Sequence, residues 1–323
     1  MDRFDNIPET ALRWHRDGIA AALCTVVQTW GSAPRRVGAQ LAVGGDGRIE
    51  GSVSGGCVEG AVIVEALEAL EDGQHRVLEF GVSDDDAFAV GLACGGTIRI
   101  LIEPIGGAFP EALLNTLVEA RQTRAALAYE VNLDTGVRHL LTNRYPDRMR
   151  MDRSGFEEDG VTFVAVHNPP LRLIVVGAVH IAQALLPMAR IAGYDPVLID
   201  PRDAFASDDR FPGETMLQDW PDEAVNQLGL DARTALVLLT HDPKLDDPAL
   251  MAALSAEPFY IGALGSTRTH AKRVERMTEA GFTREQINRI HGPVGLDIGA
   301  AGPAEIALAI LAQMTAILRG RGS

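Results

Sequence analysis

The sequence predicts an α/β protein with two domains, a mixed α/β domain at residues 1–168 and a domain with a doubly wound parallel sheet at residues 171–323. The length of 323 residues suits two domains of about 150 residues each. After residue 170, apolar strands alternate with amphipathic helices, the pattern of a parallel sheet covered on both faces. The segment Asn168-Pro169-Pro170 separates the two halves, because proline ends a preceding helix or strand.

The N-terminal half contains both helical and alternating hydrophobic patterns. The turn Gly44-Gly45-Asp46-Gly47 lies between two short apolar runs and predicts a hairpin. Apolar residues at helical spacing from Cys57 onward predict a helix. The polar stretch 143–160 is predicted to be irregular. The predicted elements are, in order, a helix at 7–17, strands at 20–29, 39–43 and 48–53, a helix at 57–70, strands at 76–80 and 97–103, a helix at 111–121, and strands at 125–132, 137–142 and 161–167.

The C-terminal half alternates strands and helices from its start. The first run, 171–176, is nearly all apolar, which is typical of a strand buried on both faces. The predicted strands lie at 171–176, 196–199, 234–239 and 259–261, and the predicted helices at 181–192, 248–256, 269–280 and 304–318. Such alternation predicts a parallel, doubly wound sheet.

Charge and composition exclude several classes of protein. The chain has 29 lysines and arginines and 44 acidic residues, so its net charge is −15. Nucleic acids and anionic membranes bind basic patches, so neither is expected as a partner. Aromatic residues make up only 5%, which disfavours stacking on single-stranded nucleic acid. The polar N-terminal segment does not resemble a secretory signal, and no apolar run reaches about 18 residues, so we expect a cytoplasmic protein.

Two of the three cysteines lie beside glycine pairs. Cys57 follows Gly55-Gly56 at the start of a predicted helix, where the helix dipole lowers a thiol pKa. Cys94 precedes Gly95-Gly96 at the start of a predicted strand. Cys24 lies within an apolar strand and is predicted to be buried. The spacing of the cysteines is not that of a zinc site, and three cysteines do not form a disulfide scaffold, so Cys57 and Cys94 are candidates for functional thiols.

Residues 174–182 form a strand, a glycine turn and the start of a helix, which is the Rossmann-like arrangement that binds dinucleotides. Gly177 suits the tight turn, and Asp200 ends the next strand about 20 residues later, where a carboxylate binds ribose. Val179 stands where a second glycine would let a pyrophosphate approach the backbone, so a nicotinamide cofactor is disfavoured. Two alternatives stay open. A ligand with a single phosphate can bind at the helix N-terminus, or the sheet can serve only as a scaffold that binds no ligand.

Several strings spread over both halves form a specific combination. They are GSAPR at 31–35, GSVSGGCVE at 51–59, CGGT at 94–97, YIGALGS at 260–266, TH at 269–270 and IHGPVGLDIGA at 290–300. Together they resemble the XdhC/CoxI family, the accessory proteins of xanthine dehydrogenase and related molybdenum hydroxylases. The resemblance covers nearly the whole chain in the family's order. The chain departs from the family's Gly-Ala-Gly-His at Gly177-Ala178-Val179-His180, and residues 143–160 carry no family signature.

The resemblance implies that the chain binds the molybdenum cofactor (molybdopterin), protects it while a cysteine desulfurase takes part in its sulfuration, and passes it to an apo molybdenum hydroxylase of the xanthine dehydrogenase type. Cys57 and Cys94 are then candidates for relaying sulfur or for contacting molybdenum, because thiolates are soft ligands. Glycine turns and helix N-termini suit the phosphate of the cofactor. The candidate cofactor-binding residues are Ser54, Gly55, Gly56, Cys57, Gly95, Gly96, Gly177, His180, Asp200, Gly262, Gly265, Ser266 and Asp297. We also expect a homodimer.

Each candidate also has a structural alternative. Small residues around Cys57 and Cys94 can simply fill tight turns, His180 can cap or pack a helix, and Asp297 can cap the last helix. For the function, the first rival is an NAD(P)-dependent oxidoreductase, which bound nicotinamide or hydride transfer would favour. The second rival is a thiol-redox protein, which reversible formation of a Cys57–Cys94 disulfide would favour.

Overall fold

The structure, a computed structural model, describes residues 6–31, 35–56, 58–81 and 96–321. The chain forms two compact units, Asp2–Pro169 and Pro170–Ser323. Both units combine strands with helices, which confirms the predicted α/β class. We keep 1–168 and 171–323 as the proposed domain limits.

The N-terminal unit contains two antiparallel sheets, one of five strands and one of four. The strands are β1 Ala21–Trp30, β2 Gln40–Gly44, β3 Ile49–Gly51, β4 Arg76–Phe80, β5 Thr97–Pro104, β6 Leu127–Asn132, β7 Arg138–Leu141, β8 Gly155–Phe156 and β9 Thr162–His167. The helices are α1 Ile7–Arg16, α2 Glu59–Asp72, α3 Glu111–Gln122 and α4 Pro146–Met151. The strand orders are β3-β2-β1-β5-β4 and β7-β6-β9-β8.

Strand β1 is the centre of the N-terminal core because both of its faces are buried. Ala22, Cys24 and Val26 face one side and pack in a cluster with α2. Leu23 and Val27 face the other side and pack with α1 and α3. Successive residues of a strand point to opposite faces, so one apolar strand serves two layers. The same strand positions α2, whose first turn belongs to the candidate site.

The structure differs from the sequence prediction in two places in this unit. The helix predicted from residue 57 begins at Glu59, with Val58 as its N-cap residue. The stretch 143–160 is not irregular throughout, because it contains α4 and β8. No residue of α4 is buried and β8 has two residues, so neither shows the apolar periodicity on which a prediction depends.

The C-terminal unit is a parallel six-stranded sheet in the order β12-β11-β10-β13-β14-β15. The strands are β10 Leu171–Val176, β11 Tyr194–Ile199, β12 Thr215–Leu217, β13 Thr234–Leu238, β14 Tyr260–Ala263 and β15 Ile290–His291. The helices are α5 His180–Ile191, α6 Pro221–Leu228, α7 Pro243–Leu254, α8 Thr267–Glu279, α9 Arg284–Ile287 and α10 Pro303–Leu318. The strand order reverses between β10 and β13, as in doubly wound nucleotide-binding sheets.

Helices cover both faces of this sheet, which confirms the predicted doubly wound arrangement. Leu173 and Val175 of β10 pack with α5 and α10. Ile174 and Val176 of the same strand pack with α6 and α7 on the opposite face. The strand is therefore buried on both sides, as its apolar sequence predicts.

The helix predicted at 248–256 begins at Pro243 instead. Pro248, the predicted first residue, lies inside the helix, and the first helical turn, where proline is favoured, holds Pro243. The N-cap residue is Asp242, whose side chain accepts a hydrogen bond from the Lys244 N–H at 3.0 Å. The short elements β12, α6, α9 and β15 were not predicted; the two strands have three and two residues, too few to show alternation. Within the described ranges, no helix has both the length and the apolar character needed to cross a membrane.

Candidate functional site

The carboxyl ends of the parallel strands bring the C-terminal candidate residues to one edge of the sheet. In the register of the sheet, Val176 of β10 pairs with Ile199 of β11 and with Leu238 of β13. Gly177 follows β10 with a φ of 113°, and a Cβ at this position would lie 2.8 Å from Thr240 Cγ2. Only glycine therefore fits this turn, at the point where the strand order reverses.

Asp200 fixes the glycine turn from within the protein. Its side chain is fully buried, and Oδ2 accepts a hydrogen bond from the Ala178 N–H at 2.8 Å. Both carboxylate oxygens also accept from the Arg202 guanidinium, at 2.8 and 2.7 Å. Burial acts to raise the pKa of the Asp200 carboxyl, but the hydrogen bonds from Arg202 and Ala178 lower it. The carboxylate that was predicted to bind ribose is thus occupied by the chain's own donors, and its contact with a cofactor stays a prediction.

His180 is the first residue of α5 and is exposed at this edge. The N-cap residue is Val179, in an extended conformation, and no side-chain hydrogen bond caps the helix. The structural alternative of a capping histidine is therefore wrong. The contacts of His180 and of Gly177 with a cofactor both stay predictions.

The motif of residues 260–266 has three different structural roles. Gly262 lies inside β14, where a Cβ would come within 2.6 Å of Val294 Cγ2 and 2.7 Å of the Tyr260 ring. Gly265 has a φ of 140°, which disfavours other residues. Ser266 is the N-cap residue of α8, and its hydroxyl accepts from the Thr269 N–H at 3.2 Å. These contacts explain the residue types by packing and capping, so a cofactor contact there stays a prediction.

Asp297 is exposed and does not cap the last helix. The N-cap residue of α10 is Gly302, and the Glu305 carboxylate accepts from the N–H groups of Ala301 and Gly302 at 2.7 and 3.2 Å. The alternative of a capping role for Asp297 is therefore wrong. A contact between Asp297 and a cofactor stays a prediction.

A basic cleft of about 260 Å³ lies beside the same edge of the sheet, and sequence reasoning missed it. Its lining residues are His241, Pro243, Asp246, Arg268, Thr269, Lys272, Arg273 and Arg276. The sequence signal was available, because Arg268, Lys272 and Arg276 recur at four-residue spacing along α8, directly after the Ser266 N-cap. Such spacing places side chains on one face of a helix. In a chain with a net charge of −15, a concentration of positive charge indicates a binding surface for an anion.

In the N-terminal unit, the carboxylate of Glu59 organises the glycine turn at residues 52–56. Glu59 lies in the first turn of α2 and accepts hydrogen bonds from two hydroxyls and four backbone N–H groups. The donors are the Ser52 hydroxyl at 2.8 Å, the N–H groups of Val53, Ser54, Gly55 and Gly56 at 2.9–3.2 Å, and the Ser54 hydroxyl. Burial acts to raise the pKa of Glu59, but the hydrogen bonds from Ser54 and Ser52 outweigh it and lower the pKa to about 2.

These contacts change the interpretation of Ser54, Gly55 and Gly56. The three residues are cofactor-binding candidates, and N–H groups at a glycine turn suit the phosphate of the cofactor, but all three N–H groups donate to Glu59. A phosphate can use these donors only by displacing the carboxylate, so their contact with a cofactor stays a prediction. Glu59 was itself missed, although an acidic residue in the first turn of a helix that follows a glycine turn is a recognised capping signal.

The two candidate thiols, Cys57 and Cys94, and the neighbouring Gly95 lie outside the described residues. Gly96 immediately precedes β5. Cys24 is fully buried in β1, as predicted, and burial together with the charge of Glu103 raises the pKa of its thiol. No group of three or more histidine, cysteine or acidic side chains suited to a metal ion occurs in the part of the chain that the structure describes.

Comparisons with known proteins agree in both halves of the chain. Residues 14–81 match the model of the XdhC and CoxI family, and residues 173–314 match the model of the XdhC Rossmann domain. The molybdenum cofactor insertion chaperone PaoD of Escherichia coli K12 is 35% identical over 93% of this chain and 84% of its own length. A probable xanthine dehydrogenase subunit of Bacillus subtilis 168 is 27% identical over 91% of this chain and 92% of its own length.

The fold has a counterpart among solved structures. The crystal structure of a xanthine dehydrogenase from Bacillus halodurans superposes with a TM-score of 0.66, covering 98% of this chain and 96% of that one at 24% identity. At this identity the likeness shows the fold alone. The identity to PaoD and the two matching family models show the family: the chain belongs to the XdhC/CoxI family.

Proposed function

We propose that this protein is a molybdenum cofactor chaperone that binds the cofactor, supports its sulfuration and inserts it into a xanthine dehydrogenase-type molybdenum hydroxylase. The observation that carries the proposal is the identity to PaoD, which extends over 93% of the chain and therefore includes both units. The function named for PaoD needs a protein that holds a cofactor and releases it, with no turnover of its own.

The proposed chemistry of the site depends on Cys57 and Cys94. The cofactor supplies a molybdenum centre with an exchangeable terminal ligand, and thiolates are the soft ligands that suit sulfur transfer or a contact with such a metal. The turn that leads to Cys57 is held by Glu59, so the backbone on the N-terminal side of the thiol is pre-organised. The fit for the phosphate is poorer at this turn, because the carboxylate already occupies the N–H groups that a phosphate would use.

The remaining cofactor-binding candidates stay part of the proposal. They are Ser54, Gly55, Gly56, Gly95, Gly96, Gly177, His180, Asp200, Gly262, Gly265, Ser266 and Asp297. The partners that we propose are an apo molybdenum hydroxylase, a cysteine desulfurase and a second copy of this chain, all in the cytoplasm. The Bacillus subtilis relative, which is named as a probable component of a xanthine dehydrogenase, supports the first of these partners.

The rival function, an NAD(P)-dependent oxidoreductase, is disfavoured by the geometry of the glycine turn. The Asp200 carboxylate is fully buried, and both of its oxygens are engaged with Ala178 and Arg202. Val179 adds a side chain where a pyrophosphate would need to approach the backbone. A dinucleotide would therefore have to break existing hydrogen bonds before it could form its own.

Transfer of the cofactor to a hydroxylase tests the proposed function. The protein is purified from a host that makes the cofactor and is incubated with an apo-hydroxylase, and hydroxylase activity is measured. We expect the wild type to activate the apo-enzyme, and the Cys57→Ala variant to activate it about tenfold less or worse, since the thiol that holds the cofactor or its sulfur is gone. Cys24→Ala is the matched control and should activate like the wild type. Equal activation by all three proteins would remove Cys57 from the mechanism, and no activation by the wild type would contradict the function.

A further inference from the structure

The basic cleft contains a buried cation whose hydrogen-bonding capacity is only partly used. Arg273 of α8 is 1% exposed and lines the cleft. Its Nη2 donates to the Leu264 carbonyl at 2.9 Å. Its Nε and Nη1 are buried without a hydrogen-bond partner among the described residues. A buried guanidinium with unused donors is costly, because each unpaired polar group loses its hydration without compensation.

The charges around Arg273 do not balance within the cleft. Asp247 is paired with Arg276, with Nη2 and Oδ1 2.9 Å apart. Asp246 accepts a hydrogen bond from the Thr240 hydroxyl at 2.5 Å. The exposed side chains of Arg268 and Lys272, one helical turn apart, form no ion pair with a carboxylate in the described part of the chain. Four basic side chains therefore meet two carboxylates, and the cleft keeps a net positive charge.

The position of the cleft fits the binding of an anion. It lies after β13 and β14, beside the first turn of α8, so the positive end of the helix dipole adds to the side-chain charges. The arginines offer planar, forked donors, the geometry that matches the oxygens of a phosphate. Thr240, whose side chain packs against Gly177, donates to Asp246 in the lining of the cleft, so the cleft adjoins the glycine turn after β10. Asp200 supplies the negative charge at the turn itself.

We propose that the cleft lined by Arg268, Lys272, Arg273 and Arg276 binds the phosphate or pyrophosphate group of an organic phosphate ester. The orphaned donors of Arg273 provide the innermost contacts, and Arg268 and Lys272 neutralise the remaining charge at the mouth. Two sources share this chemistry, the phosphate of a pterin cofactor and the phosphates of a nucleotide. The site rests on its own contacts and does not depend on the proposed chaperone function.

Calorimetric titration of the full-length protein with sodium pyrophosphate tests the site. We expect one pyrophosphate per chain with a dissociation constant below about 1 mM. The Arg268→Gln/Lys272→Gln double variant should bind about tenfold more weakly or worse, since it loses two charge-assisted contacts. Both side chains are exposed, so the double variant should keep its fold. Arg273→Lys keeps the positive charge but loses the planar, forked donors of the guanidinium, so it should also weaken binding.

The matched control is Arg284→Gln, which removes one exposed positive charge outside the cleft and should bind like the wild type within about twofold. No saturable binding by the wild type up to about 10 mM pyrophosphate would overturn the site. Equal affinities of the double variant and the control would overturn it as well.

Competition against pyrophosphate distinguishes the two sources. Displacement by isolated molybdopterin, but not by a nucleoside triphosphate, would assign the cleft to the pterin phosphate. The reverse result would assign it to a nucleotide and would support the site even if the chaperone function fails. Displacement by neither compound would contradict a site for an organic phosphate ester.

Discussion

Two glycine turns, one in each unit, are each held by a carboxylate of the chain itself. In the N-terminal unit Glu59 binds the turn at residues 52–56, and in the C-terminal unit Asp200 binds the turn after Gly177. The two carboxylates differ in how far along the sequence their donors lie. The donors to Glu59 lie three to seven residues before it, whereas Ala178 lies 22 residues before Asp200. Glu59 therefore orders a local loop, and Asp200 ties two neighbouring strands of the sheet together.

The difference matters for function. A local anchor can be displaced while the fold persists, whereas a fully buried anchor between strands is part of the tertiary structure. We therefore infer that the Glu59 turn can change its conformation and that the Gly177 turn keeps a fixed one.

The largest effect is expected from Asp200→Ala. The change leaves the Ala178 N–H and the Arg202 guanidinium without their acceptor, and it should lower the free energy of unfolding by about 2–4 kcal/mol. Chemical denaturation measures this quantity. Asp209→Ala, at an exposed position of the same unit, is the control and should change it by less than about 0.5 kcal/mol. Similar losses in the two variants would contradict the role of Asp200 as an anchor.

A smaller effect is expected from Glu59→Gln. Because the loop is local and partly exposed, the loss of the carboxylate should lower the free energy of unfolding by about 1–2 kcal/mol. Hydrogen exchange should accelerate at the N–H groups of residues 53–56. Glu68→Gln, on an exposed position of the same helix, should alter neither quantity. If exchange in the turn is as slow in Glu59→Gln as in Glu68→Gln, the carboxylate does not hold the turn.

The stabilisation from Glu59 should depend on pH in a defined direction. Its folded pKa of about 2 lies below the ordinary value of 4.5, so the charged form favours the folded state. The contribution is fully present above pH 4.5 and is lost as the pH falls towards 2. The difference in unfolding free energy between the wild type and Glu59→Gln should therefore shrink over this range. A difference that stays constant from neutral pH to pH 2 would show that the charge is not the cause.

The smallest effect concerns nicotinamide nucleotides. Calorimetric titration of the wild type with NAD(H) and NADP(H) should show no binding stronger than about 1 mM, or roughly −4 kcal/mol. Val179→Gly removes the side chain but leaves Asp200 on the Ala178 N–H, so we expect at most a slight gain. A micromolar dissociation constant for the wild type would mean that the Gly177 turn admits a pyrophosphate, and it would favour the oxidoreductase.

Much of the fold follows from periodicity. The apolar run of β10 and the helical spacing of α5 and α10 predict a doubly wound sheet, because burial on both faces demands that pattern. The short strands β12 and β15 and the exposed helix α4 could not be predicted, since their residues bury too little apolar surface to leave a pattern.

The candidate site was predictable only in part. Gly177 could be predicted because a close approach of two backbones admits only glycine. The Gly55 N–H is used by Glu59, only four residues further on, and there the capping signal was present in the sequence. The Ala178 N–H is used by a carboxylate 22 residues further along the chain, so its occupation could not be predicted. The unused donors of Arg273 likewise depend on how α8 packs beside β14, which no spacing in the sequence encodes.

The molybdenum and pterin content of the protein purified from a cofactor-producing host tests the central claim most directly. Metal analysis and fluorescence of the oxidised pterin measure both on the same sample. We predict that the wild type retains molybdenum and pterin in equal amounts, that Cys57→Ala and Cys94→Ala retain clearly less, and that Cys24→Ala, whose thiol is buried, matches the wild type. A wild-type protein that carries neither molybdenum nor pterin, or equal occupancy in all four proteins, would contradict the account.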